Sequence, residues 1–192
     1  MDALARPWYR AGDARDEAAL IRQARGGSAD AIEALVRRHW ESAHRAAFLI
    51  VHDAQAAEDI AQEAMLAAVR SIDAFDRRRP LRPWLHRIVV NRAIDWSRAR
   101  ALRREVGEPV EGEAPPPRPV GWSDEVVAAL ATLDPDQRAA VVLRHLLEYT
   151  PGEIAQLLEL PRGTVNSRLR RALDRLAKEL EPPSATSPED AR

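Results

Sequence analysis

Residues 105–121, EVGEPVEGEAPPPRPVG, divide this chain into two pieces and limit the size of anything it can fold into. Five prolines and three glycines leave little apolar surface to bury, and the run Pro115-Pro116-Pro117 favours an extended path. The segment reads as a flexible interdomain linker. On both sides of it apolar residues recur at intervals of three and four, the period of an amphipathic helix, and no strand-like alternation of any length interrupts them. The expected fold is all-α, with two small helical domains on a Pro-rich flexible tether. The expected boundaries are a loose N-terminal extension over 1–14, a first domain of four helices over 15–104, the linker over 105–121, a second domain over 122–180 and a disordered tail over 181–192.

Local signals place the helices. A short one is expected from Asp16 to Arg25, stopped by Gly26-Gly27. Ser28 can cap a long helix to about Val51, with Ile32, Leu35, Val36, Ala43, Ala47 and Ile50 turned inward. Asp53 can cap the next, over about 54–74, where Ala57, Ile60, Ala61, Ala64, Ala68 and Ile72 repeat at three and four. DRRRPLRP (76–83) should break that helix, because a residue before proline is pushed out of the helical region. A fourth long helix is expected from Pro83 or Trp84 to about Arg104. After the linker, Ser123 can cap a helix with Asp124 and Glu125 in its first turn, and Asp134 can start another to about Leu147.

Residues 150–176, TPGEIAQLLELPRGTVNSRLRRALDRL, read as two short helices joined by a tight turn. Thr150-Pro151-Gly152-Glu153 has the form of a capping box, with proline at the first helical position. In the second helix Val165, Leu169, Ala172, Leu173, Leu176 and Leu180 share the inward side. Asn166, Ser167, Arg170 and Arg171 share the other, and these side chains can bond to base edges and phosphates. From Arg162 to Lys178 six basic residues stand against one acid, Asp174. A solvated basic face is the plain alternative. The short hydrogen-bonding residues at the helix start favour a helix-turn-helix that binds DNA.

The formal net charge of −1 does not by itself announce nucleic acid, but its distribution does. Residues 77–104 hold ten arginines and a single acid, Asp95. On the helix from 84, Trp84, Arg87, Asn91, Asp95 and Arg98 fall near one side, beside the loop Arg77-Arg78-Arg79. Aromatic faces stack on bases, arginines neutralise phosphates, and an asparagine can read an unpaired base edge, so this composition can hold single-stranded DNA. A packed tryptophan among solubilising arginines is the alternative. The chain has no cysteine, which excludes disulfides, a thiol nucleophile and Cys-based zinc sites. His39, His44, His52, His86 and His145 are scattered, with no Gly-rich phosphate loop and no nucleophile elbow, so neither enzyme activity, metal nor cofactor is expected. No apolar run approaches bilayer length and no signal peptide stands at the start, so a cytoplasmic protein with no membrane insertion is expected.

Three stretches in order, AAEDIAQEAMLAAVRSIDAF, RPWLHRIVVNRAIDWSRAR and LATLDPDQRAAVVLRHLLEYTPGEIAQLLELPRGTVNSRLRRAL, make the chain resemble a bacterial RNA polymerase sigma factor of the extracytoplasmic-function (group IV) type. The resemblance spans roughly residues 28–104 and 123–178. It implies a region 2-like first domain and a region 4-like second domain. It further implies that Asp59, Gln62 and Glu63 dock on the β′ clamp helices of core polymerase, and that the second domain meets the β flap. By the same resemblance, Arg77, Arg78, Arg79, Trp84, Arg87, Asn91 and Arg98 would recognise and open the −10 promoter element, with Asn91 at the matching position near an extruded base. Asn166, Ser167, Arg168, Arg170 and Arg171 would contact the −35 element, Arg168 less directly. An anti-sigma factor is a possible further partner. Two departures stand out: the 76–83 loop is unusually rich in Arg and Pro, and Asn166 stands where Lys or Arg is common. A helix-turn-helix regulator that binds duplex DNA without acting as a polymerase subunit is the competing expectation.

Overall fold

The computed structural model describes residues 11–105 and 123–180, so the proposed linker, the tail and most of the N-terminal extension lie outside the described residues. Eight α-helices are present among them: α1 (Ala11–Arg25), α2 (Ala29–Val51), α3 (Ala54–Arg70), α4 (Leu81–Glu105), α5 (Asp124–Ala131), α6 (Pro135–Val141), α7 (Pro151–Leu158) and α8 (Arg162–Leu180). A 3₁₀ turn at Ile72–Ala74 follows α3 and a π turn at Val142–Leu146 follows α6. The described residues form no strand, and the all-α expectation holds.

Most helix starts follow from a side-chain oxygen supplied to an otherwise unpaired N–H. Ser28 accepts from Ala31 N at 3.3 Å, Asp53 from Ala56 N at 3.0 Å and Ser123 from Val126 N at 3.4 Å. The capping box before α7 is complete: Thr150 N donates to Glu153 at 2.8 Å, and Glu153 N donates to Thr150 Oγ1 at 3.4 Å. Gly27, at φ +84°, takes the left-handed position that ends α1.

Four boundaries differ from expectation. Helix α1 begins at Ala11, inside the stretch expected to be loose. Helix α3 stops at Arg70, where the Ser71 hydroxyl bonds back to Ala67 O at 2.5 Å and the chain tightens into the 3₁₀ turn. Helix α4 begins at Leu81, not at Pro83 or Trp84. Proline in a first turn forfeits no helical hydrogen bond, because those N–H groups have no partner in the helix. Finally, the helix expected to reach Leu147 closes early as the π turn, with Leu147 N bonded to Val142 O at 3.0 Å and Glu148 at φ +60°.

Helices α2, α3 and α4 pack on one another, α1 lies on α2, and α6, α7 and α8 form the second group. Alanines at 57, 61, 64 and 68 let α3 approach its neighbours closely. The two groups are not separate bodies in this structure. Helix α4 packs against α6 and α7, and one apolar core runs from Leu49, Ile50, Leu85 and Val89 into Leu143, Tyr149, Ile154 and Val165. A smaller core joins Ile21, Ala24, Leu35, Ile72, Phe75 and Leu81 beneath α1.

Arg138 on α6 ties the two groups together. Its guanidinium donates to Leu130 O, Ala131 O and Leu133 O at the end of α5, at 2.8, 2.9 and 2.9 Å. It also donates to Ile50 O in the last turn of α2, at 2.5 Å. Carbonyls at helix C-termini lack helical partners and carry the negative end of the dipole, so one buried cation satisfies several of them at once. Burial pushes the guanidinium down to about 10, opposed by the nearby Asp134 carboxylate. Arg138→Ala should cost about 3 kcal/mol or more of stability, because it removes the guanidinium partner of four carbonyls, of which Leu130 O alone is shown with another N–H, that of Leu133, and Arg138→Lys should recover only part of the loss. Urea titration followed by far-UV circular dichroism checks both; equal midpoints for wild type and Arg138→Ala would show that the carbonyls find other partners.

Candidate nucleic-acid interface

Helix α8 buries Val165, Leu169 and Ala172 and leaves Asn166, Arg170 and Arg171 exposed on the opposite side, but Leu173 and Leu180, expected inward, are exposed because the second half of the helix runs past the core. Ser167 donates to Thr164 O at 2.9 Å, and Arg171 Nε reaches Ser167 O at 3.3 Å, so these two side chains lie along the helix surface. Arg168 points elsewhere. Its Nη1 meets Asp136 at 2.9 Å, on the first turn of α6.

Asp136 also holds Arg98 of α4, through contacts of 2.7, 2.8 and 3.2 Å. One carboxylate therefore binds one expected DNA contact from each half of the chain. The hydrogen bond to Asp136 is the first cause that raises Arg98 above its ordinary range and keeps it charged. A second pair crosses the same seam: Arg87 Nη2 meets Glu159 at 2.6 Å, in the turn between α7 and α8. Asn91 lies between Arg87 and Arg98 along α4 and stays exposed. The face of α4 expected to hold single-stranded DNA thus looks, in this structure, toward α6 and α7.

The other expected residues divide by environment. Arg77, Arg78 and Arg79 are exposed on a turn closed by Asp76, which accepts from Arg78 N and Arg79 N, each at 3.0 Å. Trp84 is half-buried and packs on Phe75, with ring centroids 5.1 Å apart. Asp59, Gln62 and Glu63 are exposed on one side of α3, and Leu66, 54% exposed, extends that row by one turn. An exposed leucine beside an acidic row suits protein docking. Sequence reading passed over Leu66, although its spacing of three and four from Glu63 and Gln62 marks it as part of the row.

Chain similarity identifies what these surfaces belong to. Residues 35–103 match the family "Sigma-70 region 2", and residues 123–176 match "Sigma-70, region 4". The ECF RNA polymerase sigma factor SigM of Mycobacterium tuberculosis is 36% identical over 167 residues, covering 85% of this chain and 84% of SigM. The chain belongs to the ECF family of RNA polymerase sigma factors. SigW of Bacillus subtilis is 30% identical over 176 residues, covering 83% of this chain and 94% of SigW. Among solved structures, the sigma factor RpoE in complex with the anti-sigma factor NepR from Bartonella quintana superposes with a TM-score of 0.64 at 27% identity, covering 77% of this chain and 95% of RpoE. As a sigma factor, the protein is a transcription initiation factor that directs core RNA polymerase to promoters. No helix among the described residues is long and apolar enough to cross a membrane.

Region 2 and region 4 of this sigma factor also share a buried polar contact that sequence reading missed. His86 of α4 is fully buried, with Nε2 3.2 Å from Ser42 Oγ and Nδ1 2.9 Å from Tyr149 OH. The two rings meet edge to face at 5.8 Å. Burial, and then the charges of Arg82 and His39, push His86 down to about 3. Burial, and then Arg138, likewise push His52 down to about 3. The unfolded chain takes up a proton on each ring near 6.5, whereas the folded chain does so only near 3. The unfolded state thus binds more protons in that window, and stability falls as pH drops through it. Melting temperature should therefore decline from pH 6.5 toward pH 3, and His86→Gln should flatten that decline; a variant slope equal to that of wild type would show that His86 is not the group responsible.

Proposed function

We propose that the exposed row Asp59, Gln62, Glu63 and Leu66 docks on the β′ clamp helices of core polymerase, and that region 4 meets the β flap. Arg77, Arg78, Arg79, Arg87, Asn91 and Arg98 then engage the −10 element, with Trp84 supporting the loop from Phe75. Asn166, Ser167, Arg170 and Arg171 read the −35 element, with Arg168 on a flanking phosphate. The observation that carries this reading is the division of α8. In its first half Val165, Leu169 and Ala172 are buried in region 4, and Asn166, Arg170 and Arg171, whose side chains suit a major groove, are left exposed.

The arrangement described here is closed, and it supports a sequence of events. Arg87, Arg98 and Arg168 spend their charge on Glu159 and Asp136, so promoter phosphates must displace those carboxylates. Arg98 and Glu159 are more than half exposed, and ion pairs of that kind are weak, typically about 0.2–1 kcal/mol each. Promoter phosphates can replace them once polymerase has drawn α6 to α8 away from α4. Each unstacked base step costs a few kcal/mol, and stacking in a protein pocket returns about 1–3 kcal/mol per base, so polymerase must supply the remainder. The RpoE structure holds an anti-sigma factor, and a protein of that kind fits a chain whose DNA faces can be kept together.

Three outcomes are expected on a fragment whose start site has been mapped with the wild-type factor, the first two with reconstituted core polymerase and the third with the isolated protein. Arg171→Ala should weaken binding of the upstream element by about 1–3 kcal/mol, if its contact is bidentate. Asn91→Ala should bind that element normally yet lower permanganate reactivity at the downstream one. Asp136→Asn should raise the affinity of the isolated protein for promoter duplex at low salt, because it releases Arg98 and Arg168. Wild-type strand opening by Asn91→Ala would remove that residue from the site, and failure of the wild-type chain to select any start site would remove the whole reading.

A further inference from the structure

The segment that carries Arg77, Arg78 and Arg79 is fastened at both ends by α1, a helix to which the reading above gives no part. Arg25 supplies the first fastening. Its Nε donates to Ile72 O at 2.9 Å and its Nη2 donates to Phe75 O, so one guanidinium holds the 3₁₀ turn just before the loop. Asp73 lies 4.0 Å from the same Nε. Glu17 supplies the second. Its Oε2 accepts from Leu81 N at 3.4 Å, the first amide of α4, and its Oε1 meets His39 Nε2 at 2.8 Å. Eight residues of chain separate these anchors in α1, while the anchored groups bracket the whole loop.

Apolar packing also seats those ends, with Ile72, Phe75 and Leu81 buried beneath α1. Directly beneath them lies an apolar cavity of about 30 Å³, lined by Leu35, His39, Met65, Ile72, Leu81 and Leu85. The loop tip is held within itself by Asp76 alone, through Arg78 N and Arg79 N. Apolar packing is non-directional, so the directed bonds from Arg25 and Glu17 to the backbone add the register at which the loop leaves that core. The Glu17 carboxylate is half-buried and remains ionised: burial would raise it, but the His39 hydrogen bond, the His39 charge and the Leu81 N–H together hold it below the ordinary range. A carboxylate at a helix N-terminus is also favoured by the dipole of α4.

We propose that Glu17 and Arg25 are positioning residues for promoter opening, holding the Arg77–Arg79 loop at the register in which it meets the extruded strand. This rests on the assignment of that loop to the −10 element. Neither residue touches DNA in this account, and both act through the loop.

Holoenzyme carrying Glu17→Ala, Glu17→Gln or Arg25→Ala tests it on the mapped fragment, alongside hydrogen exchange on the isolated full chain. Misplacing a contact loop by about an ångström can cost up to about a hundredfold in rate, so Glu17→Ala and Arg25→Ala should slow permanganate-detected opening by about tenfold or more. Binding to core polymerase and to the upstream element should be unchanged. Exchange should quicken over residues 72–81 and not in α3 or α8. Glu17→Gln keeps an acceptor for Leu81 N and should recover most of the rate. Opening at the wild-type rate by both alanine variants would overturn the proposal, as would a loss accompanied by faster exchange throughout the chain. Absence of opening by the wild-type holoenzyme would instead bring down the promoter assignment, and this proposal with it.

Discussion

Arg138 is the constraint on which the relative placement of regions 2 and 4 depends. A cation in a protein interior is tolerated only where its lost hydration is replaced, and here four carbonyls at two helix ends replace it. Three of those carbonyls belong to the end of α5 and its following turn, and the fourth belongs to α2. The guanidinium is rigid and planar, so satisfying all four fixes α6 against both helices at once. Once α6 is fixed, Asp136 stands in reach of Arg98, and the turn after the π helix delivers Tyr149 to His86. The seam between the regions is thus built outward from one buried side chain.

That seam contains interactions of two different strengths. The apolar part and the His86–Tyr149 contact are removed from water, and separating them exposes Leu49, Leu85, Val89, Leu143 and Ile154 or strands polar groups. At the outer edge, Arg87, Glu159 and Arg98 lie toward solvent and are screened by salt, while Asp136 and Arg168 are largely covered. Promoter phosphates can compete for the outer part because they offer the same arginines an equivalent anion. They offer nothing to the inner part. Whatever separates the regions must therefore bind to protein surface and compensate apolar exposure.

How far the chain could be read in advance depended on range along the sequence. Ser28, Asp53, Ser123 and Thr150 announced their helices because a cap and its N–H lie three residues apart. The exposed face of α8 was legible for the same reason, its pattern being contained in a few turns. The resemblance of ordered motifs carried the family. Nothing in the spacing announced that Asp136 would hold Arg98, thirty-eight residues away, or that Glu17 would reach Leu81 across sixty-four. In sequence Asp136 is only an acid in a first helical turn, which the helix dipole explains without any arginine. Trp84 shows a contact of the same kind. Its company of arginines suggested a stacking platform, and nothing in the spacing announced that the half-buried ring also packs on Phe75.

The arginine-rich stretch consequently holds three populations with different work. Arg77, Arg78 and Arg79 face solvent on the turn, free of any seam contact in the structure. Arg87 and Arg98 are committed across the regions until those part. Arg92 and Arg100 are used inside region 2: Arg92 lies 3.6 Å from Glu63, within the docking row, and Arg100 lies 3.6 Å from the Asp53 cap and 5.1 Å over Trp96. Counting arginines in the sequence therefore overstates the number that can neutralise phosphate. Because each phosphate neutralised adds to the salt dependence of binding, arginines already paired with carboxylates leave this arrangement a shallower electrostatic grip than their number suggests.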